Sequence, residues 1–101
     1  MGTVRLEFLW SIARALGGEE TTEDTILETK VEEGETVRTL LGQLAGRYPP
    51  FAQIVFDAKS KNVSEEVSLF LNGRRVELLS GLETKLEDGD VLSFLPFISG
   101  G

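Results

Sequence analysis

Cysteine and histidine are both missing from this 101-residue chain. Without cysteine there is no disulfide, no thiolate nucleophile and no thiolate-held metal. Without histidine the usual general base near neutral pH is gone as well. No apolar run approaches the ~20 residues that would cross a bilayer as a helix. The opening stretch MGTVRLEF goes straight into alternation, with no basic segment ahead of an apolar one. Neither a secretory leader nor a membrane span is therefore expected, and the chain reads as cytoplasmic. Leu6 stands where a myristoylation motif wants Ser or Thr. No phosphate loop or dinucleotide fingerprint occurs, so any nucleotide used in its chemistry would be bound by a partner. Asp, Glu, Lys and Tyr remain as possible catalytic groups, a thin set for an enzyme working alone.

What is present suits one globular domain. A chain of this length buries roughly two-thirds of its unfolded surface without covalent staples, and 41% of its residues are hydrophobic. The net charge is −7, and its placement is uneven. Eight acidic residues and only Lys30 lie between Glu19 and Glu35, while the rest of the chain balances nine acids against nine bases. An acidic chain repels phosphate backbones, so nucleic acid is not an expected partner. The acidic segment 19–35 reads either as a solvated loop and strand or as a device steering a basic partner surface.

The pattern along the chain predicts strand, strand, helix, strand, short strand, strand. TVRLEFLWS alternates, with Val4, Leu6, Phe8 and Trp10 on one side and Arg5 and Glu7 opposite. IARALGGEETTED reads as a glycine- and acid-rich excursion, after which Leu27, Thr29 and Val31 resume the alternation. The first two runs therefore make a hairpin with a wide loop. Val37, Leu40, Leu41, Leu44, Ala45 and Tyr48 form one helical stripe, with Thr36 as N-cap and Gly46 and Pro49-Pro50 as the stop. Phe51, Ile54, Val55 and Phe56 read as a short turn of helix or an irregular segment. VSLFLNGRRVEL is a hairpin turning at Asn72-Gly73, and DVLSFLPF is the last strand, stopped by Pro96. The first and last strands are the most apolar and are linked through a helix, so they are expected side by side and parallel in mid-sheet. The class is α+β, a mixed sheet with one main helix packed across one face.

The end of the chain, FLPFISGG, adds a different signal. Pro96 keeps Leu95 extended, and the six residues from Pro96 reach roughly 20 Å at about 3.3 Å each. Two glycines without Cβ atoms can thread a channel too narrow for any side chain. Residues 1–95 thus read as a domain and residues 96–101 as an extended arm. The reacting group expected there is the carboxylate of Gly101, with Gly100 beside it.

LEDGDVLSFLPFISGG (Leu86 to Gly101), with RLEFLWSIARALGG (Arg5 to Gly18), resembles the MoaD/ThiS-type sulfur-carrier family of ubiquitin-like proteins. That family includes the small subunit of molybdopterin synthase and the thiamine-pathway carrier. A first strand running into a segment with an arginine and a later glycine, here Arg14 and Gly17, is similar to the molybdopterin branch. Two departures are visible. Phe97 follows Pro96 where the family often has a second proline, and extra length falls around Glu19–Asp24 and Lys59–Glu66.

The resemblance implies a β-grasp fold and a non-catalytic carrier. An adenylating enzyme of the ubiquitin-activating type would use ATP and magnesium to activate Gly101, with no cofactor or metal bound by this chain. A sulfur donor protein would then convert the acyl-adenylate to a thiocarboxylate. The large subunit of molybdopterin synthase would take the arm and the sulfur. Thiamine or tRNA thiolation, and conjugation of Gly101 to a target lysine as a protein modifier, are the alternatives.

Several side chains carry two readings. Phe97 and Ile98, with Pro96 and Leu95, are either partner anchors or fold back on their own core. Trp10 is expected in core or edge packing, with partner contact as the second reading. Arg74 and Arg75 are expected as solvated hairpin charges, and Asp88 and Asp90 as turn formers.

Overall fold

The computed structural model describes residues 2–16, 24–57 and 59–97. Strand β1 (Gly2–Phe8) pairs antiparallel with β2 (Thr25–Val31) and parallel with the last strand, β7 (Val91–Pro96). β7 pairs antiparallel with β5 (Val67–Leu71), which turns into the two-residue edge strand β6 (Arg74–Arg75). The sheet order β2-β1-β7-β5-β6 puts the two most apolar strands side by side and parallel, as their sequence requires. The sheet is mixed, α+β and β-grasp. At the hairpin, Asn72 and Gly73 have φ of 52° and 84°, the pair of positive angles that a type I′ turn needs.

Helix α2 (Val37–Arg47) lies across the sheet and buries Val37, Leu40, Leu41, Leu44 and Ala45. Thr36 caps it reciprocally. Its hydroxyl accepts the Thr39 N–H at 3.3 Å, while the Thr39 hydroxyl accepts the Thr36 N–H at 3.0 Å. Val4, Leu6, Phe8, Leu92 and Phe94 meet this helix from the sheet, each fully buried. Phe51 closes the far end of that layer, its ring edge-on to both Phe8 and Phe94.

Three expectations need correction. Trp10 does not continue the inward face of β1. The chain turns at Leu9 into a short helix, α1 (Trp10–Ala13), and the indole is left 53% exposed. The excursion after β1 is not merely loop, because Ile12, Ala13 and Ala15 are buried in α1 and a following 3-10 turn. The prolines do more than stop α2. Tyr48 is extended and Pro49 begins α3 (Pro49–Ile54), since proline is suited to the first turn of a helix, where its missing N–H costs nothing. A small hairpin of β3 (Phe56–Asp57) and β4 (Asn62–Val63) then follows. Among the described residues no helix is long and apolar enough to cross a membrane.

Candidate functional site

The site is built where β7 ends. Leu92 and Phe94 point into the core, so Ser93 and Leu95 alternate onto the face away from α2. Register sets Leu95 opposite Ser68 and Ser93 opposite Phe70, and on the next strand Phe70 opposite Arg75. Ser68 is 7% exposed although it lies on this helix-free face, so its neighbours cover it. Leu95 and Pro96 are half-buried, and Pro96 sits opposite Val67 within the ladder.

Pairing does not stop at the proline. The Phe97 N–H donates to the carbonyl of Glu66 at 2.8 Å, so hydrogen bonding to the neighbouring chain runs one residue past the proline expected to stop it. Phe97 is 46% exposed and forms one wall of an open groove of about 510 Å3, with Val63, Val67, Leu69, Val76 and Leu82. Glu65 and Glu77 stand among the groove's lining residues. An apolar groove with a half-exposed phenylalanine on its wall is a surface suited to receiving another protein's side chains. Ile98, Gly100 and Gly101 lie outside the described residues.

Arg75 corrects the expectation of a merely solvated charge. Its guanidinium carbon stands 5.9 Å from the ring centroid of Phe70 and 5.9 Å from that of Phe97. Nothing in the local pattern signals this, since Arg75 and Phe97 meet only because β5 and β7 pair. Asp88 and Asp90 act as turn formers. Asp88 accepts the Thr3 N–H at 2.8 Å, and Asp90 accepts the Glu87 N–H and the Asn72 side-chain amide. The Asn72 side-chain oxygen in turn accepts the Val91 N–H at 2.9 Å, tying the β5–β6 turn to the start of β7. Asp24, in the acidic segment, accepts the Trp10 N–H at 2.9 Å and so supports the start of α1.

The model of the ThiS family matches residues 18–101. The chain belongs to the ThiS family. It is a ubiquitin-like protein of the sulfur-carrier and protein-modifier class. It is 34% identical over 73 residues to small archaeal modifier protein 3 of Haloferax volcanii, covering 71% of this chain and 76% of that protein. It is 28% identical over 69 residues to the sulfur carrier protein CysO of Mycobacterium tuberculosis, covering 67% and 74%. Among solved structures it superposes with a TM-score of 0.69 on a Pyrococcus furiosus protein provisionally described as molybdopterin converting factor subunit 1. That match covers 97% of this chain and 100% of the other at 25% identity. The half-buried Leu95 and Pro96 and the ring of Phe97 stand beside the groove at the end of β7.

Proposed function

We propose that this chain is the sulfur-carrying small subunit of a molybdopterin synthase. The observation that carries the reading is the packed segment Trp10–Leu16 between β1 and β2, on a fold that superposes end to end on the Pyrococcus furiosus protein. Ile12, Ala13 and Ala15 make that segment part of the core rather than a dispensable loop.

In this role the carboxylate of Gly101 attacks the α-phosphorus of ATP on an adenylating enzyme. An acyl–AMP bond forms and pyrophosphate leaves, with magnesium held by the enzyme and the nucleotide. Sulfur then attacks the acyl carbon and AMP departs. If the sulfur comes as the terminal atom of a donor's persulfide, a thiol reduces the resulting acyl disulfide to the thiocarboxylate. This chain supplies binding and geometry: the root Leu95–Phe97 sets the arm on the partner, and the slim Gly100-Gly101 pair enters its active site. The large subunit receives the sulfur.

The 34% identity to small archaeal modifier protein 3 favours a second reading, in which the activated Gly101 is passed to a lysine amine. Intact-mass analysis of the chain recovered from its native cells, with or without a conjugate ladder, separates the two. A single oxygen-for-sulfur exchange on the C-terminal peptide supports the carrier, and its loss in cells lacking the adenylating enzyme is expected. A ladder without any exchange supports the modifier and overturns the carrier.

A further inference from the structure

Two aromatic rings from different strands share one cation at the root of the arm. Phe70 belongs to β5 and Phe97 follows β7, and the Arg75 guanidinium on edge strand β6 stands 5.9 Å from both centroids. The planar guanidinium suits such an arrangement, since it presents π faces as well as charge and is weakly hydrated. Its nearest carboxylate among the described residues, that of Glu77, is 4.0 Å away, and both side chains of that pair are about half exposed or more. An exposed ion pair at that separation holds little, so the rings account for where Arg75 lies. Phe97 is therefore held twice, through its N–H on Glu66 and through its ring on Arg75. The first hold restrains its backbone and the second its rotamer, so both are set at the last described residue. The burial of Ser68 on the same face agrees with a packed rather than a splayed root.

We propose that Arg75 is a positioning residue, which pre-sets the bearing of the arm through Phe97 so that Gly101 meets the adenylating partner already aimed. The inference rests on the carrier or modifier reading of Gly101, in either of which the carboxylate must be delivered into another protein. Arg75 touches no reacting atom. Its loss lowers the fraction of molecules with a competent arm, which raises the apparent KM for the carrier and leaves turnover unchanged once bound.

The test has two arms. In the isolated full-length chain, Arg75→Ala should shift the Phe97 ring and amide resonances and change the residual dipolar couplings of residues 97–99, while the couplings of β1 and β5 stay fixed. In ATP–pyrophosphate exchange with the host's adenylating enzyme, Arg75→Ala should raise KM about twofold to fivefold, the scale of an exposed cation–π contact, at constant kcat. Arg75→Lys should recover part of the loss, and Arg74→Ala should leave KM as in the wild type. An unchanged KM for Arg75→Ala, or an equal rise for Arg74→Ala, overturns the inference, provided that deletion of Gly101 abolishes exchange. If the wild-type chain supports no exchange with its own adenylating enzyme, the reading of Gly101 fails instead. The dipolar couplings then decide alone whether Arg75 holds the arm, and unaltered couplings overturn that hold.

Discussion

The rings of Phe8 and Phe94 stack with centroids 4.3 Å apart and planes within 5° of parallel, directly across the parallel β1–β7 pair. Phe51 meets both edge-on, at 6.4 and 5.9 Å. This trio lies at the end of the sheet where β7 finishes. Phe94→Ala removes one member of the trio and leaves a cavity among fully buried side chains. The expected loss is about 3–5 kcal/mol, a large share of the 5–15 kcal/mol typical of such domains. Urea unfolding followed by far-UV circular dichroism measures it, and a loss below about 1 kcal/mol would contradict this picture of the core.

Phe97 differs from Phe94 in kind, being half exposed at the root of the arm. Phe97→Ala should leave the unfolding midpoint nearly unchanged. It should weaken binding to the partner that takes the arm by about 1–2 kcal/mol, roughly tenfold. Calorimetric titration against the large subunit of the proposed synthase checks this, and full affinity in the variant excludes Phe97 as an anchor.

The acidic segment divides into parts with different jobs. On the steering reading, changing Glu19, Glu20 and Glu23 to Gln should slow association with a basic partner up to about tenfold at low salt, with the difference vanishing at high salt. Asp24 has a structural task at the Trp10 N–H. Asp24→Ala should cost about 1 kcal/mol of stability, as capping losses do, with little change in the salt dependence. Stopped-flow association rates across a salt series, read beside melting curves, separate the two.

Asp57 gives a pH dependence of known sign. Its carboxylate accepts the Lys59 N–H at 2.9 Å, and that bond, aided by the hydroxyl and N–H of Ser60, holds its pKa below the ordinary 3.8. A depressed carboxylate pKa stabilises the fold above the unfolded value and loses that contribution as pH falls through the folded one. The Lys59 amide resonance should therefore titrate with a midpoint below 3.8. Asp57→Asn should remove the titration while the β5–β7 ladder stays intact.

Much of this architecture follows from the order of residues alone. Alternation at Val4, Leu6 and Phe8 and at Leu92 and Phe94 marks the central pair, the 3.6-residue stripe marks α2, and Asn72-Gly73 marks its turn. Such signals are legible because neighbours in sequence share one face of one element. The resemblance of the FLPFISGG end to a carrier tail is local in the same way.

What only the tertiary structure decided are pairings between residues far apart in the chain. Pro49 starts a helix because Phe51 has a place beside Phe8 and Phe94, and Ala15 is buried because α3 packs on the 3-10 turn that holds it. Trp10 is exposed because the Asp24 carboxylate and the turn at Leu9 end β1 two residues before the alternation does. Arg75 meets Phe97 only once β5 lies between their strands. A side chain's periodic position names the face it occupies, but its partner on that face is set by strand order and register, which no local pattern encodes.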